Sequence, residues 1–234
     1  AGGIGGLTGA LVSVVMPAFD EEAFIAEALE SVLAQTYAPV EVIVVDDGST
    51  DRTADIADRY GVQVLRQAQH GSAAARNAGL TVARGDYWAI FDADDVMPAG
   101  RIERQVEHLE RHPELGMVFG LTEAFVTPGQ PRPAHWSPAW DDGPFPWHTT
   151  AMLARRVLLE LVGHFDASRR FAEDMDWLAR AKAAGVRSGH GDYLALRYRV
   201  HQGNSVADTG AVDREMLRVL RASARRQRAH GADA

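Results

Sequence analysis

Four groups of carboxylates stand where the sequence pattern ends a strand or opens a helix. Asp20, Glu21 and Glu22 follow the apolar run Leu11 to Met16. Asp46 and Asp47 follow Val40 to Val45, and Asp92, Asp94 and Asp95 follow Tyr87 to Phe91. Glu173 and Asp174 open a helical stretch. Ligands of open α/β sheets bind beyond the carboxyl ends of the strands, so the first three groups can converge on one crevice. Acids gathered there repel one another and persist only with a cation, or with a ligand that carries one. Oxygen donors favour a hard ion, magnesium or manganese, which can bridge a carboxylate to a diphosphate and neutralise a leaving group. Structural readings stand beside this one. Asp46-Asp47-Gly48-Ser49-Thr50-Asp51 also reads as a turn and helix cap, and Glu173, Asp174 and Asp176 as acids favoured by a helix dipole. Asp92-Ala93-Asp94-Asp95 resists that treatment, because three acids in four residues after a buried strand are costly decoration.

The elements that must position these groups alternate. Short β-branched runs, Leu11 to Met16, Val40 to Val45, Val62 to Leu65 and Tyr87 to Phe91, read as strands buried on both faces. Between them Glu21 to Gln35, Asp51 to Tyr60 and Ser72 to Ala83 read as helices. This alternation predicts an α/β fold with a single, mostly parallel sheet and helices on both faces. After Asp95 the regularity loosens. Pro98 to Arg111 is a helix, Leu115 to Val126 a strand, Met152 to Leu161 and Glu173 to Ala184 helices, Leu194 to Val200 a strand, and Val212 to Gln227 a terminal helix. Thr127 to Trp147, rich in proline and tryptophan, is too long for a plain connector. Its Trp136, Trp140 and Trp147, with His148, either stack on a ligand as a closing lid or pack against the sheet. The expected organisation is a leader or expression remnant at 1–10, one domain at 11–206 (a nucleotide-binding half to 95, an acceptor half from 96) and a basic helix at 207–234.

Composition narrows the classes. The 234 residues are 46% hydrophobic and 24% charged, ordinary globular values, and carry a net charge of −8 that argues against nucleic acid as partner. Without cysteine there is no disulfide framework, thiolate metal site or thiol nucleophile. No apolar run reaches the roughly 18 residues that a membrane span needs, so the expectation is a cytoplasmic protein with no transmembrane segment. Arg214, Arg218, Arg221, Arg225, Arg226 and Arg228 form either a solvated helix face or a contact for an anionic membrane surface or acidic partner.

Taken together and in order, the runs Val14-Val15-Met16-Pro17-Ala18-Phe19-Asp20-Glu21-Glu22, Val44-Val45-Asp46-Asp47-Gly48-Ser49-Thr50-Asp51, Ala75-Arg76-Asn77-Ala78-Gly79, Asp92-Ala93-Asp94-Asp95 and Glu173-Asp174-Met175-Asp176-Trp177 resemble family 2 glycosyltransferases with the GT-A fold. The resemblance covers about residues 11–206. It implies an inverting transfer of a sugar from a nucleotide diphosphate donor to an acceptor hydroxyl, assisted by Mn2+ or Mg2+. By the same resemblance Pro17, Ala18, Phe19 and Glu22 form the first nucleotide-contacting loop, with Phe19 near the base. Asp47, beside Asp46, recognises the base, and Arg76 lies near the donor phosphate or sugar. Asp92 and Asp94, flanking Ala93, match the DXD motif and hold ribose and metal in an order the sequence leaves open, with Asp95 directly after. Asp20 stands where the family often has asparagine. Asp174 is the expected general base and Glu173 orients the acceptor or its neighbour. His201, in Tyr198-Arg199-Val200-His201-Gln202-Gly203-Asn204-Ser205, resembles a late histidine that approaches metal or diphosphate, although a lone histidine after a strand is also a common structural residue.

Rival readings are a catalytically silent nucleotide-sugar-binding module and a sugar-phosphate nucleotidyltransferase. The latter wants a glycine-rich loop after the first strand, where this chain has Pro17-Ala18-Phe19-Asp20; a dinucleotide-binding oxidoreductase lacks its GxGxxG there. The donor's sugar and base, and the acceptor (saccharide, lipid-linked, small molecule or peptide), are not encoded in any motif.

Overall fold

The computed structural model describes residues 9–146, 148–204 and 214–222. Trp147, residues 1–8 of the expected leader and parts of the expected terminal helix lie outside the described residues; 214–222 are helical. The first half alternates as its apolar runs require: β1 Val12–Ala18, α1 Ile25–Leu33, β2 Val40–Asp46, α2 Thr53–Asp58, β3 Gln63–Arg66, α3 Ser72–Val82 and β4 Tyr87–Ile90. Then follow α4 Arg101–Arg111, β5 Met117–Phe125, β6 Met152–Arg155, α5 Val157–Val162, α6 Glu173–Ala183 and β7 Ser188–Arg199. One seven-stranded sheet runs through both halves in the order β3-β2-β1-β4-β6-β5-β7. Only β6 pairs antiparallel, with β4 on one side and β5 on the other, so the sheet is mostly parallel as expected.

Alternation along each strand builds two apolar layers. Val14, Met16, Val42, Val44, Ala89 and Phe91 face α1 and α4, whose Ile25, Leu29, Ile102, Val106 and Leu109 are buried against them. Val15, Ile43, Val45, Trp88 and Ile90 face the other way, onto Ala75 and Leu80 of α3, Leu158 of α5 and Trp177 of α6. Among the described residues no helix is long and apolar enough to cross a membrane.

Two elements differ from the sequence reading. Met152 to Leu161 is not one helix but β6 followed by α5. Met152, Leu153 and Ala154 are all buried between two neighbouring strands, and a strand covered on both faces has no alternation to separate it from a buried helical turn. Strand β7 begins at Ser188 rather than Leu194, because Gly189, Gly191 and polar neighbours weaken its pattern while the pairing with β5 extends it.

Helix α3 approaches the sheet at Gly79, where an added Cβ would lie 2.3 Å from Val15 Cγ1 and 3.1 Å from Val45 Cγ2. Alanine there gains about 1 kcal/mol of helix propensity but overpacks a two-sided core at a cost of about 1–3 kcal/mol. Gly79→Ala is therefore expected to lower stability in urea titration; equal or higher stability would mean that α3 does not seat this closely.

Candidate active site

The carboxyl ends of β1, β2 and β4 open into a cleft of about 450 Å³. Pro17, Ala18, Phe19, Asp47, Arg76, Asp92, Ala93, Asp94, Glu173 and Asp174 all line it, so residues from five separated motifs share one cavity. Four of the expected site residues are not among its lining. Glu22 is exposed and bonds the Arg52 side chain at 3.0 Å. Asp46 and Asp95 are buried, and His201 bonds three residues that do line the cleft, Asp94, Gly203 and Asn204.

Arg76 frames the centre. It donates from Nη1 to Glu173 Oε1 at 2.8 Å and from Nη2 to Asp92 Oδ1 at 3.3 Å. Ser72, one turn earlier on the same face of α3, donates from Oγ to Glu173 Oε1 at 2.6 Å. Glu173, 5% exposed, thus spends Oε1 on holding α6 to α3. Burial works against the Arg76 charge, but Asp92, Glu173 and Asp174 outweigh it and raise its pKa above the ordinary value.

The carboxylates crowd as the sequence suggested. Burial raises Asp92 to about 6, against the pull of Arg76 and with a push from Asp94. Glu21, which sequence reasoning passed over in favour of Glu22, lines the cleft and is raised to about 8 by burial and then by Asp94 and Asp92. Asp95 turns inward, where Oδ1 accepts the Arg199 N–H at 2.8 Å; burial and its two neighbours raise its pKa well above the carboxylate range. Arg199, 2% exposed, also donates to Asp94 O, Thr127 Oγ1 and Glu27 Oε2, tying β7 to α1. Asp94 Oδ2 lies 3.0 Å from His201 Nε2 and accepts from Asn204 Nδ2 at 3.0 Å. The Gly203 N–H points at His201 Nδ1, 3.2 Å away, an arrangement that leaves the ring proton on Nε2, toward Asp94. Among the described residues no three acids or histidines converge to hold an ion by themselves. One or two carboxylates completed by ligand phosphates is how magnesium-type ions are commonly held, and the set at Asp92 and Asp94 fits that pattern.

Around the first loop, Asp20 sits in the left-handed region at φ 55° and accepts the Thr50 N–H at Oδ1. Asparagine and aspartate both tolerate that conformation, a physical reason why either serves there. Asp47 spends its carboxylate on Gln67 Nε2, the His70 N–H and the Gly71 N–H, all within 2.9 Å, and so shapes the loop before α3 while facing the cleft.

On the opposite wall, Asp174 accepts from Thr149 Oγ1 at 2.6 Å and from the Met175 N–H at 2.7 Å. The preceding Ala172 is left-handed at φ 57°, a strained entry to α6 of the kind that collects at functional sites. Trp136 and Trp140 pack edge to face and lie against the core layer of α1 and α4, the packing alternative for this segment; neither lines the cleft. His148 does line it, and burial lowers its pKa to about 4 despite the pull of Asp174. The unfolded chain, with an ordinary histidine near 6.5, binds the proton first as pH falls, so this contribution to stability is present above pH 6.5 and is lost toward pH 4. From pH 7 to pH 5 the protein should therefore lose on the order of 1–2 kcal/mol more stability than His148→Asn. Parallel pH profiles from chemical denaturation would contradict a neutral, half-buried imidazole.

The pattern that defines Glycosyl transferase family 2 matches residues 13–177. The chain is 32% identical to the glycosyltransferase EpsJ of Bacillus subtilis over 191 residues, covering 70% of this chain and 54% of that protein. It thus spans about half the length of this curated relative. Among solved structures, S. aureus TarS bound to UDP-GlcNAc aligns with a TM-score of 0.66 at 21% identity, over 84% of this chain and 60% of that one. The mannosyltransferase PcManGT of Pyrobaculum calidifontis, bound to GDP-Man and Mn2+, aligns with a TM-score of 0.66 at 24% identity, over 84% and 59%. These likenesses establish the GT-A fold, and the sequence match establishes the family: the chain belongs to glycosyl transferase family 2.

Proposed function

We propose that the cleft transfers a sugar from a nucleotide diphosphate donor to an acceptor hydroxyl with inversion at the anomeric carbon, Asp174 serving as general base. The observation that carries this reading is the placement of Asp174 on one wall and Asp92 and Asp94 on another wall of the same cavity. Phe19, 39% exposed at the rim, offers an apolar face to the base, and Asp47 borders the same end. A divalent cation, Mn2+ or Mg2+, bound at Asp94 with or without Asp92, supplies charge neutralisation for the departing diphosphate. The attacking hydroxyl forms the new bond to the anomeric carbon as the bond to the diphosphate oxygen breaks. Its proton passes to Asp174, and the nucleoside diphosphate leaves. Thr149 and the Met175 N–H hold the Asp174 carboxylate in place, and each oxygen keeps a lone pair for the incoming proton. Glu173, whose Oε1 is held by Ser72 and Arg76, orients the first turn of α6 and with it the neighbouring Asp174.

Similar folds bind UDP-GlcNAc and GDP-Man, which makes uridine and guanosine diphosphates the first ligands to try.

Thermal-shift titration with UDP, GDP and their sugars, with and without Mn2+, should show a cation-dependent rise for one nucleotide, since a ligand of the folded state raises apparent stability. No cation-dependent shift with any nucleotide would defeat the reading. Asp174→Asn should keep that donor shift while transfer falls on the order of 10²- to 10⁴-fold, the usual worth of a general base. Turnover at the parent rate would remove Asp174 from the role.

A further inference from the structure

The contact between His201 and Asp94 depends on a tight turn closed by Asn204. The Asn204 side-chain oxygen accepts the His201 N–H at 2.6 Å, and the Asn204 N–H donates back to His201 O at 3.3 Å. Its Nδ2 donates to Arg199 O at 3.1 Å and to Asp94 Oδ2 at 3.0 Å. The backbone N–H on one side can only donate and the Asp94 carboxylate on the other can only accept, which fixes the amide's orientation. With one oxygen and two N–H bonds all spent inside the protein, and 8% of the residue exposed, this side chain is a clamp at the cleft wall.

The clamp acts on a carboxylate that has a second suitor. With its proton on Nε2, His201 bonds Asp94 and cannot ligate a cation through the same nitrogen. Were the imidazole to turn to a cation, Asp94 would lose that donor, but Asn204 would still hold Oδ2. Both bonds fall on Oδ2, so the other oxygen is the one left for a ligand. We infer that Asn204 is a positioning residue that pins Asp94, and through the turn His201, in the geometry that takes up the divalent cation and diphosphate. The inference rests on the reading of the cleft given above and adds a residue to it.

The test is Mn2+ affinity, read by electron paramagnetic resonance with UDP or GDP present, for the parent protein, Asn204→Ala, His201→Ala and the double variant. Partners that orient a ligand typically carry 10- to 100-fold in metal affinity, so Asn204→Ala should weaken Mn2+ binding by about tenfold or more. Metal-free nucleotide affinity should not move, because the clamp acts through Asp94 on the cation. The double variant should lose less than the two single losses multiplied, because both act on one carboxylate. Unchanged Mn2+ affinity, or an equal fall in metal-free nucleotide binding, would overturn the positioning role alone. A parent protein that binds no Mn2+ with either nucleotide would overturn the proposed function and this inference together. Thermal midpoints report folding; should the alanine variant fail to fold, Asn204→Ser, whose hydroxyl can still receive the His201 N–H, carries the same comparison.

Discussion

Arg76 is the charge around which the site is assembled. Its guanidinium joins Glu173 at the start of α6 to Asp92 beyond β4, contacts that span 97 and 16 residues of sequence. All three side chains are wholly or partly withdrawn from water, so none is indifferent to losing its partner. Breaking one side of a buried pair typically costs about 3–5 kcal/mol, several times the worth of an exposed ion pair. That asymmetry keeps the first turn of α6 at the cleft and sets Asp174, the next residue along, on its wall. The helix position is set by these ion pairs together with the burial of Trp177 and Ala181.

One arginine does not balance the acids around it. Burial, and after it the charges of Asp94 and Asp92, raise the pKa of Glu21 and Asp95, and Arg199 is already committed to Asp94 O, Thr127 and Glu27. The fold answers the crowding in two ways. It turns Asp95 inward onto the Arg199 N–H, and it places neutral donors, Asn204 and His201, on Asp94. What stays at the cleft surface is a negative field with, among the described residues, too few protein ligands to cage an ion alone. Such a surface suits a cation that arrives with phosphates attached.

Much of this was legible before any coordinates. The buried runs of β1, β2 and β4 announced a parallel sheet, because strands covered on both faces need unbroken apolar side chains. Acids directly after those runs had to collect at one edge. The second half was harder. Strand β6 shares its apolar run with a helix in any periodicity test, and only its place between β4 and β5 distinguishes the two. Glu21 and Glu22 are adjacent and chemically alike; the turn at the end of β1, with Asp20 left-handed, sends one into the cleft and the other to Arg52.

Sequence by itself determined the family, the strand and helix alternation and the set of acids, because residue type, order and spacing are properties of the chain alone. Tertiary structure decided which acids face a ligand and which are consumed within the protein. Glu173 spends Oε1 on tying α6 to α3; Asp95 turns inward and anchors β7; Asn204, read in the sequence only as part of the late run around His201, closes the turn that clamps Asp94. The reason is geometric. A carboxylate's role depends on which donors reach its two oxygens, and those donors come from residues 97, 104 and 110 positions away.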